Sequence, residues 1–289
     1  MQIENNPKLG QECVVTHNVV SIHSDPNSKS EQISQSILGQ TVVIEAGQKD
    51  WFFVKMWDEY RGWISSSYIR PYSSNESIYS TQGIVAVVKD LIADIYTGPR
   101  LKAPIITKAV MSTELKVINS DDDWVEILLP NNYRAFIQKK RIKLIDKSIG
   151  HTIWLPDYEK IIETAYRFVG VPYLWGGCTP FGIDCSGFVQ LVYKILGVTL
   201  PRDAHLQAQD SRCVDIDINE LRTGDLIFFC SNSDFEKKKI THVALAINND
   251  SFIHSSSTKG VCMDFLDKYK SATLVSTKRI SFGTLDIGI

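Results

Sequence analysis

Residues 22 to 69 recur without a gap 73 positions further along the chain. Ile22 pairs with Ile95, Pro26 with Pro99, Ile33 with Ile106, Ile44 with Val117 and Trp51 with Trp124. Val54 pairs with Ile127, Tyr60 with Tyr133, Ile64 with Ile137 and Ile69 with Ile142. Nine positions sharing one offset mark two copies of a single structural unit. Each copy is made of short alternating stretches broken by turns, such as Thr41-Val-Val-Ile-Glu45 and Trp51-Phe-Phe-Val-Lys55. Alternation of this kind predicts half-buried strands. Two small all-β barrels of about 60–70 residues follow, a size that folds alone but marginally. Trp51 and Trp124 are expected in their cores. The polar stretch from Ser73 to Thr81 reads as the linker between them, and Asp146-Lys-Ser-Ile-Gly150 as the boundary behind them. The expected domains are residues 1–75, 76–148 and 149–289.

The third domain carries the chemistry. Cys185 stands between a Gly-rich loop, Gly176-Gly177, and a segment with Phe188, Leu191, Val192, Ile195 and Leu196 on one helical face. Gly197 supplies the stop. A cysteine at a helix N-terminus faces free backbone N–H groups and the positive end of the dipole, which favour a thiolate. The same N–H groups can receive an oxyanion. A buried structural thiol is the plainer alternative. Asp157 is expected to open an earlier helix, with Ile161, Ala165 and Phe168 inward and a stop at Gly170.

A nucleophilic thiol needs a base, usually histidine. Thr241-His-Val-Ala-Leu-Ala-Ile247 alternates and reads as a strand, with His242, Ala244 and Ala246 on one face. The alanines there are expected to leave room for a helix end. Asn248-Asn-Asp250 is a turn signal, and Ser251-Phe-Ile-His-Ser255 a second strand. Folded as a hairpin, His242 and His254 come close across the ladder, the geometry of a base and the group that orients it.

Several of these motifs resemble one family. Asp184-Cys185-Ser-Gly-Phe188, His242-Val-Ala-Leu and His254-Ser255 are similar to the NlpC/P60 cysteine peptidases. Pro172-Tyr173-Leu-Trp175-Gly-Gly177 and Thr223-Gly-Asp-Leu-Ile-Phe-Phe229 match in the same order. The likeness spans about residues 150 to 275 and implies an α+β papain-like catalytic domain that cleaves bacterial cell-wall peptides. It implies Cys185 as nucleophile, His242 as base, His254 as orienter and Tyr173 beside the oxyanion. The two copies resemble bacterial SH3-type domains, through Trp51 and Tyr60-Arg-Gly-Trp63 in the first. The second reads Tyr133-Arg-Ala-Phe136, without the glycine and tryptophan.

Relatives that recycle wall fragments cut the γ-D-glutamyl-L-diamino acid bond, to diaminopimelate or lysine, of muropeptides with a free N-terminal L-Ala. A buried ammonium needs a carboxylate. The resemblance places that subsite at Asp184 and Asp203, with Ser186 and Arg202 beside them and Glu31 and Tyr60 reaching in from the first SH3-type domain. Asp184 has a helix cap as its other reading, and Arg202 with Asp203 a local surface pair. The expected substrate is a muropeptide such as L-Ala-γ-D-Glu-diaminopimelate. The alternatives are a wall-remodelling hydrolase acting on intact sacculi and a non-catalytic wall-binding protein.

Composition bounds the rest. At 289 residues the chain holds two or three domains. A formal net charge of −2 gives no argument for nucleic acid or a membrane surface. The six cysteines show neither zinc-type spacing nor a dense disulfide pattern, so a reducing compartment fits; with no phosphate loop of the required spacing either, no metal or other cofactor is expected. No apolar run reaches membrane length, and the first residues lack the basic start and apolar core of a secretory signal. With Met1 as the native start, a cytoplasmic, monomeric enzyme is expected.

Overall fold

The structure is a computed structural model that describes residues 7–71, 83–147, 158–231, 239–269 and 273–281. It has two compact units, Met1–Thr152 and Ile153–Ile289. The expected linker at 73–81, the boundaries at 75–76 and 148–149, and Asp157 lie outside the described residues.

The first unit contains both repeats. In the first, β1 (Glu12–Val15), β2 (Val19–His23), β3 (Gln32–Ile37), β4 (Thr41–Gln48), β5 (Trp51–Lys55), β6 (Arg61–Ser65) and β7 (Ile69–Pro71) form one antiparallel sheet. Its order is β3-β2-β6-β5-β4-β1-β7. In the second, β8 (Ile84–Val88), β9 (Ile92–Tyr96), β10 (Ile105–Val110), β11 (Glu114–Ser120), β12 (Trp124–Leu128), β13 (Arg134–Gln138) and β14 (Ile142–Asp146) repeat that order strand for strand. The β4–β5 bulge between Ile44 and Ala46 recurs between Val117 and Asn119, again 73 residues on. Left-handed backbone recurs too, at Gly39 (φ 81°) and Ser112 (φ 69°), and at Glu59 (φ 65°) and Asn132 (φ 64°).

Alternation fixes what each strand buries. On β5, Phe52 and Val54 enter the core with Ile22, Ile44 and Ile64. On β12, Val125 and Ile127 do the same with Ile95 and Ile137. Trp51 and Trp124 occupy the opposite phase and are half-buried, so their expected core role is wrong. Trp51 instead packs edge-on against His23 at 5.4 Å, and Trp124 against Tyr96 at 5.3 Å. Leu38 of the first repeat joins the second repeat's core. Arg70 donates to the Pro130 carbonyl and, at 3.2 Å, to Asn132 Oδ1.

The second unit sets helices against one antiparallel sheet. Its elements are α1 (Tyr158–Tyr166), a short pair β15 (Cys178–Thr179) and β16 (Gly182–Ile183), α2 (Cys185–Ile195) and α3 (Ala204–Ala208). Strands β17 (Cys213–Asp215), β18 (Leu226–Cys230), β19 (Ile240–Ala246), β20 (Ser251–Ser256), β21 (Gly260–Phe265) and β22 (Leu274–Ile280) follow. Their order is β17-β22-β18-β19-β20-β21. Helix α2 packs on β19 and β20, with α1 and α3 beside it. Ile161 and Ala165 of α1 are fully buried, and Phe168, just past its end, meets Phe188 at 5.9 Å before Gly170 turns at φ 86°. Asp225, from the Thr223–Phe229 motif, is 1% exposed and gripped by Arg279 at 2.8 and 2.7 Å. Among the described residues no helix is long and apolar enough to cross a membrane.

Candidate active site

The loop before α2 brings backbone hard against the helix's first turn. A Cβ on Gly187 would lie 2.3 Å from the Gly177 carbonyl oxygen, so only glycine lets α2 begin there. Asp184 is the N-cap: its backbone is extended, and Oδ1 accepts the Gly187 N–H at 2.7 Å. Cys185 is therefore the first residue of α2, as the sequence predicts, and is 8% exposed.

Its thiol departs from expectation in one respect. Burial pushes it up to about 12, and the Asp184 carboxylate pushes the same way. The backbone N–H groups of Val243 and Ser186 and the Arg202 charge oppose this without cancelling it. The helix start thus places the sulfur but does not hold a resting thiolate, because desolvation outweighs these N–H groups and the Arg202 charge. The Val243 N–H that reaches the sulfur belongs to the residue after His242, which sets the thiol beside that part of β19.

The histidines meet as predicted, though by a different register. Leu245 pairs with Ile253 and Ala246 with Phe252, so continuing the ladder sets His254 opposite Ala244 and diagonal to His242. The diagonal is within reach of ring side chains. His242 Nε2 and His254 Nδ1 are 2.7 Å apart, with ring centroids at 4.9 Å and planes at 85°. Ala244 and Ala246 do not make room for a helix end: they join Leu221, Ile227, Phe229, Phe252 and Leu266 in an apolar cluster. Phe229 lies 5.9 Å from the His242 ring and Phe252 5.0 Å from that of His254. Burial there pulls His242 down to about 3, with His254 adding to it. It pulls His254 down to about 4, against the raising effect of Asp264.

Around the thiol lies a second polar group. Arg202, 2% exposed, grips Asp184 with both terminal nitrogens, at 3.0 Å to Oδ1 and 2.5 Å to Oδ2. It also donates to Ser186 Oγ at 2.9 Å, and Ser186 Oγ lies 3.3 Å from Asp184 Oδ1. The surface-pair reading of Arg202 is thus overturned, because its partner is a buried carboxylate eighteen residues away. Asp184 both caps the helix and carries this ion pair. Asp203 is the N-cap of α3 without a side-chain cap bond, and its charge is felt by Arg202. Gln207 ties α3 to this corner through the Ser186 and Pro201 carbonyls, at 3.0 and 2.9 Å. Tyr173 bridges to Ile183 and is half-buried. Its phenol is pushed up by burial, then by the charges of Cys185 and Asp184, so it keeps its proton as a donor. In the other unit, Tyr60 packs at the edge of the first repeat's core, and Glu31 is exposed just before β3.

Sequence reasoning missed Cys262 and Asp264, which meet His254 at 3.6 and 3.8 Å from its Nε2. The Lys259-Gly260 turn was the available signal, since it pairs His254 with Cys262 across β20–β21. These three could hold a divalent metal, their ligand atoms lying within 4.8 Å of one another. The Lys259 and Lys268 ammonium groups, 3.6 and 3.5 Å from Asp264, oppose one.

Comparison with known proteins fits this geometry. The NlpC/P60 family pattern matches residues 170–279, and the bacterial SH3 domain pattern residues 92–143. A "Gamma-D-glutamyl-L-lysine dipeptidyl-peptidase" of Bacillus cereus is 31% identical over 230 residues, 77% of this chain and 66% of that protein. A "Probable endopeptidase NlpC homolog" of Haemophilus influenzae is 37% identical over 194 residues, 64% of this chain and 96% of the relative. The crystal structure of an NlpC/P60 family protein from Bacillus cereus superposes with a TM-score of 0.81 at 25% identity, covering 93% of this chain and 99% of that one. With SH3-like folds in its first unit and the family's cysteine and histidine motifs gathered in its second, the chain belongs to the NlpC/P60 family.

Proposed function

We propose that the chain is a cysteine endopeptidase that hydrolyses the γ-D-glutamyl-L-diamino acid bond of muropeptides bearing a free N-terminal L-Ala, in peptidoglycan recycling. The observation that carries it is the helix-start thiol of Cys185 beside β19, with His242 and His254 coupled at 2.7 Å. The name of the Bacillus cereus relative supports the bond assigned.

Cys185 Sγ attacks the γ-glutamyl carbonyl carbon while its proton passes to His242. Nε2 of His242 is occupied by His254, so Nδ1 takes the proton. The Tyr173 phenol donates to the oxyanion. The imidazolium then protonates the leaving amine, a thioester remains on Cys185, and His242 draws a proton from the water that hydrolyses it. Asp184, Arg202 and Asp203 carry formal charges that sum to −1, which the substrate's ammonium balances. Ser186 positions the peptide at this corner.

Mass spectrometry of L-Ala-γ-D-Glu-diaminopimelate, its lysine counterpart and N-acetylated forms tests the reading. Wild type should release L-Ala-D-Glu from the free peptides alone, and Cys185→Ala should release none. Equal turnover of capped and free peptide, or clearing of intact sacculi instead, would refute the recycling assignment.

A further inference from the structure

The polar chain behind the thiol does not end at His254. His254 Nε2 lies 3.6 Å from Cys262 Sγ and 3.8 Å from Asp264 Oδ2. The β20–β21 ladder pairs His254 with Cys262 and Phe252 with Asp264, which puts all these side chains on one face of the hairpin. We propose that Asp264, acting across the Cys262 sulfur, is a positioning residue that sets the tautomers of His254 and, through it, of His242. The proposal rests on the reading of Cys185, His242 and His254 as a catalytic set.

A neutral imidazole carries one ring hydrogen, so each ring has one donor nitrogen and one acceptor. His242 accepts the thiol proton at Nδ1, which requires its hydrogen on Nε2. That Nε2–H donates to His254 Nδ1, 2.7 Å away. His254 Nδ1 is then an acceptor, and its own hydrogen sits on Nε2. The opposite arrangement is equally good for the contact between the rings. In it His254 Nδ1–H donates to His242 Nε2, the hydrogen of His242 moves to Nδ1, and no base faces the thiol. Something beyond the two rings must choose.

Asp264 makes that choice, because a negative charge beside His254 Nε2 favours the hydrogen there. It is 6% exposed; the Tyr269 hydroxyl at 3.0 Å and Lys259 at 3.6 Å reach the same Oδ2 that faces His254, and Lys268 reaches Oδ1 at 3.5 Å. Burial raises its carboxyl, but Tyr269 and the two lysines together bring it below the ordinary value, so it is ionised at neutral pH. The Cys262 thiol, raised by burial and by Asp264, stays protonated. It can accept from His254 Nε2–H and donate onward to Asp264. When His242 becomes an imidazolium during turnover, the same charge steadies it from behind. Among the described residues, His242, Cys262, Tyr269, Lys259 and Lys268 are the titratable groups recorded against this pair.

The test compares wild type, Asp264→Asn and Asp264→Glu as full chains, by steady-state kinetics on L-Ala-γ-D-Glu-diaminopimelate and by nitrogen-15 NMR of the imidazoles. Wild type should show the His254 hydrogen on Nε2. D264N should show a mixture, with kcat lower by roughly 10- to 100-fold, within what acid–base catalysis contributes, and KM nearly unchanged. D264E should recover most of the rate. A wild-type His254 carrying its hydrogen on Nδ1 overturns the proposal, as does a folded D264N with kcat within about twofold of wild type. The wild-type NMR result decides the matter even where D264N fails to fold. If wild type cleaves no muropeptide, the proposed function fails, and the tautomer measurement still judges this inference separately.

Discussion

At the scale of single residues, Cys185 and His242 sit in a site that disfavours charge on both. Burial lifts the thiol to about 12 and draws His242 down to about 3. Both groups therefore rest neutral, and in the proposed mechanism charge separates only as the thiol attacks. In that mechanism His242 stays neutral, and so able to act as a base, well below the ordinary 6.5 of a histidine. The free enzyme's kcat/KM should accordingly hold at pH 5 to within about half of its neutral value. A pH–rate profile with its acid limb at 6.5 would show that burial does not govern this histidine. Arg202 offers a second test. Replacing it by Met leaves Asp184 buried with an uncompensated charge, which costs about 3–5 kcal/mol. Urea denaturation should show that loss for Arg202→Met, and a smaller one when Asp184→Asn is added. Equal losses in the two variants would mean the ion pair is not what the substitution breaks.

At the scale of elements, the duplication was readable because alternation is local and a fixed offset keeps it in phase. Strands β2 and β9, β3 and β10, β5 and β12, and β6 and β13 coincide to the residue after the shift of 73. Trp51 was misplaced for a related reason: the type of side chain suggested a core position, while the phase set by Phe52 and Val54 put it outside. The helix start at Cys185 and the His242–His254 hairpin were legible because each follows from neighbours in sequence. The Arg202–Asp184 pair and the Asp264–His254 approach were not, since they depend on how α2, α3 and β21 pack. The repeat also locates strain. Gly39 at φ 81° is matched by Ser112 at φ 69°, where a Cβ opposes the left-handed backbone. The Ser112 hydroxyl is buried without a hydrogen-bond partner as well. Ser112→Gly should therefore stabilise the first unit by about 1 kcal/mol, seen as a higher melting temperature with unchanged peptidase activity. A destabilised variant would mean the hydroxyl makes a compensating contact.

At the scale of the molecule, each unit has its own apolar core, and the depressed histidines belong to the second alone. Their folded values of about 3 and about 4 lie below the 6.5 of an unfolded histidine. Between about pH 6.5 and pH 4 the unfolded chain thus binds protons that the folded unit does not. The stability of that unit is complete above 6.5 and falls as the pH drops through this window. Carboxylates held low, such as Asp210 and Asp264, act in the same direction, but only as the pH nears and passes below 3.8. The histidine window is therefore separable from ordinary acid unfolding. Calorimetry of the full chain from pH 7 to pH 4.5 should resolve a transition whose midpoint falls steadily while the other stays nearly fixed. The double variant His242→Gln, His254→Gln removes the titrating rings, so its two transitions should lose this difference in pH response. If the double variant keeps the wild-type slope, the acid sensitivity arises elsewhere, and the histidines are not as poorly solvated as their aromatic surroundings imply.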